Sequence, residues 1–427
     1  MDKYLVLWPK SVGVKRINYH YTQFGEIVDY LDKFFPNQIL GLDNDIQSID
    51  VIEYIKKNNI AKVLIQVNYE NAINAFSICE KIKKQCNIPI LGYGSIALRF
   101  PDMFLNSGFD VIHAQGDPEV CMRSFIKYYN TGENISELQK IIDGGFIISN
   151  GKKILTNKGK YIHPDNWGVS RKEQIPVKEY DDIKKKERYV LNISRGCPFG
   201  CPHCLIQLTE GRKERRRSIE NLKEAIEYIK NDYSHIKIWA ANFTLDKKYV
   251  DSFCDMMISD FPEVTWECAT RIDLVKEEDM LIKMHKSGCK QISLGIESLN
   301  NSELIGTKDF KKLEIQQAIL RIQNSGIQVK GCVMLGMPNQ QKDSIINTLR
   351  FLKSNRVIIR PTIYTPYQEL NENISLENLS QYNRKTLLNT NVSGVSPQQL
   401  LQLVENPYNY EQILDLNRDS KESEQLK

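Results

Sequence analysis

Short apolar runs alternate with amphipathic stretches of helical period along most of the chain, and the alternation comes in two blocks. In the first block, Tyr4–Leu7, Gln38–Leu42, Val63–Val67, Ile88–Gly92 and Val111–Ala114 read as strands. Between them, Gly25–Phe35, Ile46–Asn58 and Ala72–Gln85 place apolar residues three and four apart, the spacing of a helix with one buried face. Alternation of this kind dictates a parallel, doubly wound sheet that binds ligands outside the carboxyl ends of its strands. The second block predicts strands at Tyr189–Ser194, Ile236–Ala240, Val264–Ala269, Gln291–Gly295, Gln328–Leu335 and Val357–Tyr364. Six such βα units suit a partial barrel open at one side. The stretch between the blocks reads as a bridge holding a hairpin, with Asn150-Gly151 as its turn. The expected divisions are therefore 1–131, a linker 132–187, a barrel 188–368 and an extension 369–427 whose end, from Ser420, is disordered.

Composition narrows the function. A net charge of +4 over 427 residues is too small to argue for a nucleic-acid or membrane-surface partner, and no apolar run is long enough to span a bilayer. The start, Met1 to Lys10, is broken by Trp8-Pro9-Lys10 and reads as a buried strand, not a signal peptide, so a cytoplasmic location is expected. Of ten cysteines, Cys79, Cys86, Cys121, Cys254, Cys268, Cys289 and Cys332 are scattered through predicted elements and read as packing residues. The basic run Arg212–Arg217 reads as a solvated face, or as an attractor for an anionic substrate or reductant.

The remaining cysteines lie within eight residues, in Ser194-Arg195-Gly196-Cys197-Pro198-Phe199-Gly200-Cys201-Pro202-His203-Cys204, directly after a predicted strand. Thiolates select iron–sulfur clusters or zinc. Three of them on one tight loop can hold three corners of a cubane and leave the fourth iron for an outside ligand. A structural zinc would need a fourth protein ligand, for which His203 is the nearby candidate in a cramped geometry.

On this loop the sequence resembles the radical S-adenosylmethionine (SAM) superfamily. The resemblance implies that Cys197, Cys201 and Cys204 hold a 4Fe–4S cluster on the loop after the first barrel strand. SAM would then chelate the open iron and be cleaved to methionine and a 5′-deoxyadenosyl radical. His203 matches the place, before the last cysteine, of an aromatic residue near adenine. Gly288–Ser298 resembles the fourth-strand segment and makes Glu297 a candidate for the SAM ribose. Gly331–Pro338, with Met334, resembles the segment that passes along adenine. Arg271, in a segment like the third strand, is a candidate partner for a carboxylate of SAM or substrate, or for Asp273. The second strand ends in Ala240-Ala241-Asn242 where relatives often carry an acidic pair, which leaves Asn242 or the backbone as the candidate near the SAM amino group.

The first block resembles the Rossmann-like, cobalamin-binding-type domain that precedes many radical SAM barrels. Gly92, Gly94 and Ser95, beyond the fourth strand, are its candidate cofactor contacts, although Tyr93 interrupts the paired glycine. Asp110, His113 and Gly116 do not have DxHxxG spacing, so no lower axial histidine is expected. The expected cofactors are a 4Fe–4S cluster, SAM and cobalamin. The expected partners are a small-molecule or peptide substrate and an electron donor such as flavodoxin or ferredoxin. The implied function is cobalamin-dependent methyl transfer to an unactivated carbon. The alternatives are an epimerase, cyclase or rearrangement enzyme using the radical alone, and a non-catalytic, metal-stabilised binding module.

Overall fold

Each block of alternation forms one sheet. In a computed structural model, the structure describes residues 2–12, 20–130, 132–175, 188–201, 203–303, 310–365, 367, 370–380, 382 and 392–414. The first sheet is built from β1 (Lys3–Trp8), β2 (Ile39–Asp43), β3 (Ile60–Gln66), β4 (Ile90–Tyr93), β5 (Val111–His113), β6 (Gly145–Ser149) and β7 (Lys152–Leu155). Its order is β2-β1-β3-β4-β5-β6-β7. The pairs from β2 to β5 are parallel, and the last two are antiparallel. The strands are apolar on both faces because both are covered. Val6, Leu64 and Leu91 pack with Phe24, Ile27 and Leu31 of α1 (His20–Asp32). On the other face, Leu5, Val63 and Ile65 pack with Val51 and Ile55 of α2 (Val51–Asn58) and with Ala75 and Ile82 of α3 (Ala72–Gln85).

Two local outcomes have plain causes. Helix α2 starts at Val51 and not at Ile46, because the Asp50 carboxylate accepts the Glu53 N–H at 2.9 Å and caps the helix there. The Asn150-Gly151 hairpin forms with both turn residues at positive φ, 48° and 68°, as a type I′ turn requires. It is no free-standing bridge: β6 pairs antiparallel with β5 and lengthens the first sheet.

The second sheet contains β8 (Tyr189–Asn192), β11 (His235–Trp239), β12 (Thr265–Thr270), β13 (Cys289–Glu297), β14 (Gln328–Leu335) and β15 (Ile358–Ile363). All six are parallel, in the order β15-β14-β13-β12-β11-β8, with helices on the outside. A small antiparallel ribbon of β9 (Ser194–Arg195) and β10 (Arg215–Arg216) was not legible in the sequence. The core on the α1 side of the first sheet continues into the barrel core through Tyr189, Leu191 and Ile226. Beyond the barrel, Leu376–Ser380, Pro397–Glu405 and Tyr410–Ile413 are helical, while the stretch from Ser420 lies outside the described residues, as does 176–187. Among the described residues no helix is long and apolar enough to cross a membrane.

Trp266 is fully buried in the barrel wall, edge-on to Phe243 and Phe253 at 5.3 and 5.2 Å, and its indole N–H donates to Ser287 O at 2.9 Å. Trp266→Ala should cost about 3–5 kcal/mol. A lowered thermal midpoint is the expected result, and an unchanged one would contradict this packing.

Candidate active site at the barrel mouth

The cysteine loop leaves β8 through the short ribbon and is held on both sides. Gly196 sits at φ 91°, and a Cβ there would lie 2.3 Å from Lys213 O, so only glycine fits. Its N–H donates to Glu210 at 2.9 Å, and the Cys197 N–H donates to Gly211 O at 3.1 Å. Cys197 and Cys201 are buried, and Cys204 is half-buried. Burial pushes the Cys197 thiol up, and the Phe199 backbone N–H pulls it back down. Asn242, buried at the end of β11, donates its amide to Cys197 Sγ at 3.4 Å. The structure thus puts Asn242 on a sulfur of the cysteine loop, and such an N–H donor would tune the potential of a cluster held there.

The donor set fits a cubane. Three thiols come from one buried loop with amide donors around them. Among the described residues no three His, Cys, Asp or Glu side chains converge on one metal-sized point. A cubane, which gives each thiolate its own iron, does not require that convergence.

The other candidates lie around the same mouth. Arg271 is buried, with its guanidinium 3.9 Å above the Phe199 ring of the cysteine loop and hydrogen bonds of 2.9 and 3.2 Å to Asp273. The ion pair anticipated as an alternative is therefore formed. Glu297 ends β13, buried and at φ 62° beside an irregularity in the strand register. Met334 ends β14 in a small apolar cluster with Met337 and Tyr364. A link missed by sequence reasoning joins these two strand ends. The Gln340 amide donates to Met334 O at 3.1 Å and to Glu303 at 3.3 Å, and Glu303 accepts from Ser298 Oγ at 2.7 Å. His203 is half-buried on the loop.

The first sheet presents its strand ends to this region. Tyr69, beyond β3, stacks on Tyr367 with ring centroids 4.4 Å apart, and Arg99 donates to Leu370 O at 3.0 Å. The helix Ser95–Arg99 packs against Ile206–Glu210, just after the cysteine loop. The three proposed cobalamin contacts have duties of their own. Gly92 is flanked by Phe104 and Phe109, Gly94 (φ 113°) passes so near Val67 O that a Cβ would lie at 2.7 Å, and Ser95 Oγ donates to Asn68 at 2.8 Å. Yet Gln66 Nε2, Tyr69 Oη and Tyr93 Oη are buried at these strand ends with no hydrogen-bond partner among the described residues. Orphaned donors of this kind fit a polar cofactor laid over the sheet.

Between the two sheets lies a buried ionic junction. The Arg195 Nη2 donates to Glu26 of α1 at 2.9 Å and to Glu119 at 2.8 Å, with Asp117 3.8 Å from Nη1. Arg215 grips both Asp117 oxygens at 2.6 and 2.9 Å. Arg217, only 1% exposed, donates to Asn192 O, Trp167 O and Gly168 O, and all three guanidiniums surround the Trp167 ring. Burial works against Arg195's charge, but Glu119, Glu26 and Asp117 hold its pKa above the ordinary value. Burial lifts Glu26 against the pull of Arg195 and Arg217. The expectation of a solvated face is thus corrected for Arg215–Arg217. Arg215 crosses to Asp117, far off in sequence, and Arg217 is buried on backbone carbonyls, whereas Arg216 pairs with its neighbour Glu214.

With this geometry in view, the comparisons place the chain. Residues 191–352 match the family model described as the radical SAM superfamily. The chain is 24% identical over 350 residues (77% of its length, 72% of the relative's) to an uncharacterized methyltransferase of Pyrococcus horikoshii. It is 28% identical over 294 residues (64% and 47%) to an anaerobic magnesium-protoporphyrin IX monomethyl ester cyclase of Cereibacter sphaeroides. Its fold is shared with the radical SAM methyltransferase TsrM of Kitasatospora setae, at TM-score 0.68 and 12% identity over 85% of this chain and 73% of that one. It is shared also with the cobalamin-dependent radical enzyme OxsB, at TM-score 0.67 and 17% identity over 96% and 62%. A three-thiol loop at the mouth of a six-stranded parallel barrel defines a radical SAM enzyme. Residues 191–352 carry a radical SAM domain, and the chain as a whole shares its fold with TsrM and OxsB. A 4Fe–4S cluster and SAM come with that family.

Two predictions follow from the site. His113 is buried against Gly116 O at 3.1 Å, and burial lowers its pKa to about 4. The unfolded chain takes up this proton near pH 6.5 and the folded chain refuses it until about 4, so stability falls as pH drops through that window, by about 3 kcal/mol at its acid end. His113→Gln should flatten this part of the stability–pH curve, and an unchanged slope would contradict the assignment. Arg195→Met leaves Glu26 and Glu119 uncompensated and should cost about 3–5 kcal/mol. Lower thermal stability and lower iron content after reconstitution are expected, and wild-type values for both would refute the junction's role.

Proposed function

We propose that the enzyme is a cobalamin-dependent radical SAM methyltransferase acting on an unactivated carbon of a small biosynthetic molecule. The observation that carries this reading is the meeting of the cysteine loop with the first sheet's strand ends. Arg195, two residues before Cys197, is bound to carboxylates of both α1 and the first turn of the helix Pro118–Tyr128 that follows β5. The bound groups would supply a 5′-deoxyadenosyl radical from SAM at the cluster and a methyl group from cobalamin. Cys197, Cys201 and Cys204 each hold one iron, and the Asn242 amide steadies the Cys197 sulfur. Glu297 would accept from the ribose hydroxyls, and His203 and Met334 would hold the adenine. Arg271, stacked on Phe199 and paired with Asp273, positions the loop. Gly94 and Ser95 keep the turn after β4 low and Gly92 keeps the strand before it close to Phe104 and Phe109, so that Gln66, Tyr69 and Tyr93 would reach polar edges of the cofactor. An electron donor such as flavodoxin or ferredoxin supplies the reducing electron. Identity to the magnesium-protoporphyrin ester cyclase over 64% of the chain favours a second reading, in which the radical acts without methyl transfer.

The test is anaerobic turnover of the reconstituted enzyme with SAM, cobalamin and reductant. Retained cobalamin, with S-adenosylhomocysteine formed beside 5′-deoxyadenosine, is the expected outcome. 5′-Deoxyadenosine alone would favour the second reading. Formation of neither, or SAM cleavage that survives in Cys204→Ala, would overturn both.

A further inference from the structure

The stretch from Glu210 to Arg216 runs alongside the start of the cysteine loop. Gly211 O accepts the Cys197 N–H at 3.1 Å, and Lys213 O lies against Gly196. Both acids of this stretch are already engaged. Glu210 accepts the Gly196 N–H at 2.9 Å, and Glu214 is held by Arg216 at 2.7 Å. Asp117, the acid that meets the stretch from the first sheet's side, is taken by Arg215 at 2.6 Å. Arg212 and Lys213 are left exposed, with no ion pair among the described residues.

Tyr161 continues this surface. Its ring is 55% exposed, and the Arg215 guanidinium lies 4.3 Å from the ring centroid. Its hydroxyl sits so close to Gly211 that a Cβ there would lie 3.0 Å away. The residue before it, Lys160, lines a groove of about 550 Å³ with Phe34, Arg123, Lys127, Tyr128 and Asp143. Asp143, the only carboxylate of that lining, pairs with Lys160 at 3.2 Å. Arg123 lies 4.6 Å from the Phe34 ring centroid, and Lys127 is exposed, with no ion pair among the described residues. The outward groups in and around the groove are thus cations and half-exposed aromatic rings.

Two requirements of a reducible cluster meet on this surface. Electron tunnelling decays steeply with distance, so an electron enters best where little protein covers a ligand. At Gly211 the cover is one peptide without a side chain, hydrogen-bonded to Cys197. A protein that brings the electron also needs a face of opposite charge to steer it to that point, and rim charges serve this purpose more than they add affinity.

We propose that Arg212, Lys213 and Tyr161, with the basic groove beside Tyr161, form the docking surface for an acidic, flavin-bearing carrier protein that reduces the cluster. The proposal rests on the radical SAM reading of the cysteine loop and locates the electron donor that this reading requires. The carrier's anionic flavin hydroquinone gives up one electron and becomes the neutral semiquinone. The oxidised cluster takes that electron and becomes paramagnetic, and no proton moves. Arg212 and Lys213 meet carboxylates of the carrier, and the Tyr161 ring gives the flat flavin edge an aromatic surface to lie against.

The test mixes the full-length, cluster-reconstituted enzyme, without SAM, with flavodoxin hydroquinone in an anaerobic stopped-flow instrument and follows the flavin and cluster absorbance. Reduction that is fast at low salt and slows as salt rises is expected. The Arg212→Glu, Lys213→Glu double variant should slow it by at least about tenfold at low salt and by less at high salt. Lys127→Glu should slow it in the same direction, by a few-fold. Reduction by the methyl viologen radical cation, which is small and positively charged, should not slow in any of them. Should the double variant lose its iron, Arg212→Gln with Lys213→Gln carries the same expectation at smaller size. Wild-type flavodoxin rates in these variants, equal slowing with both reductants, or no reduction of the wild-type cluster by flavodoxin would overturn the proposal. SAM cleavage driven by methyl viologen alone checks the reading beneath it. Its absence in the wild type would overturn that reading, whereas its presence with unchanged flavodoxin rates in the variants would sink the docking surface alone.

Discussion

A guanidinium taken out of water must be met by carboxylates, and Arg195 is met by acids from two elements of the other sheet. That constraint fixes the molecule's working geometry. Arg195 stands between β8 and Cys197, so whatever holds its head also holds the start of the cysteine loop. Glu26 comes from α1, and Asp117 and Glu119 come from the turn after β5. The loop is thereby referred to the first sheet as much as to its own barrel. Trp167, from the segment joining the two sheets, gives the three arginines an apolar surface to lie on. Buried ion networks of this kind contribute little net stability over an apolar packing, but they tolerate only one arrangement.

The mouth is layered by chemistry. Sulfur ligands and an amide donor lie on the β8–β11 side. Carboxylate and apolar groups, Glu297 and the Met334 cluster, lie at the ends of β13 and β14, tied together through Gln340 and Glu303. The first sheet adds a third surface, its strand ends, where two tyrosine hydroxyls and a glutamine amide have no partner among the described residues.

Most of the fold was legible because it rests on local periodicity. Helix α3 falls on Ala72–Gln85 as its spacing predicts, and the six barrel strands fall within a few residues of their apolar runs. The ribbon of β9 and β10 was not, since two-residue strands have no period to detect. The cysteine loop was legible because ligand spacing is written in the chain. The arginines beside it were misread, because a run of basic residues becomes a junction only when acids about a hundred residues away fold onto it. Asn242 was singled out by its place after the second barrel strand, and the structure adds that its amide lies on the Cys197 sulfur, a contact that needs distances and not spacing.

The account depends most on three thiolates leaving one iron for SAM. Electron paramagnetic resonance of the reduced, reconstituted cluster, recorded with and without SAM, tests this directly. The account predicts that SAM shifts the spectrum, and that SAM labelled with a magnetic nitrogen isotope in its amino group shows coupling to the cluster. An identical spectrum with and without SAM, from a sample with its full complement of iron and sulfide, would contradict it.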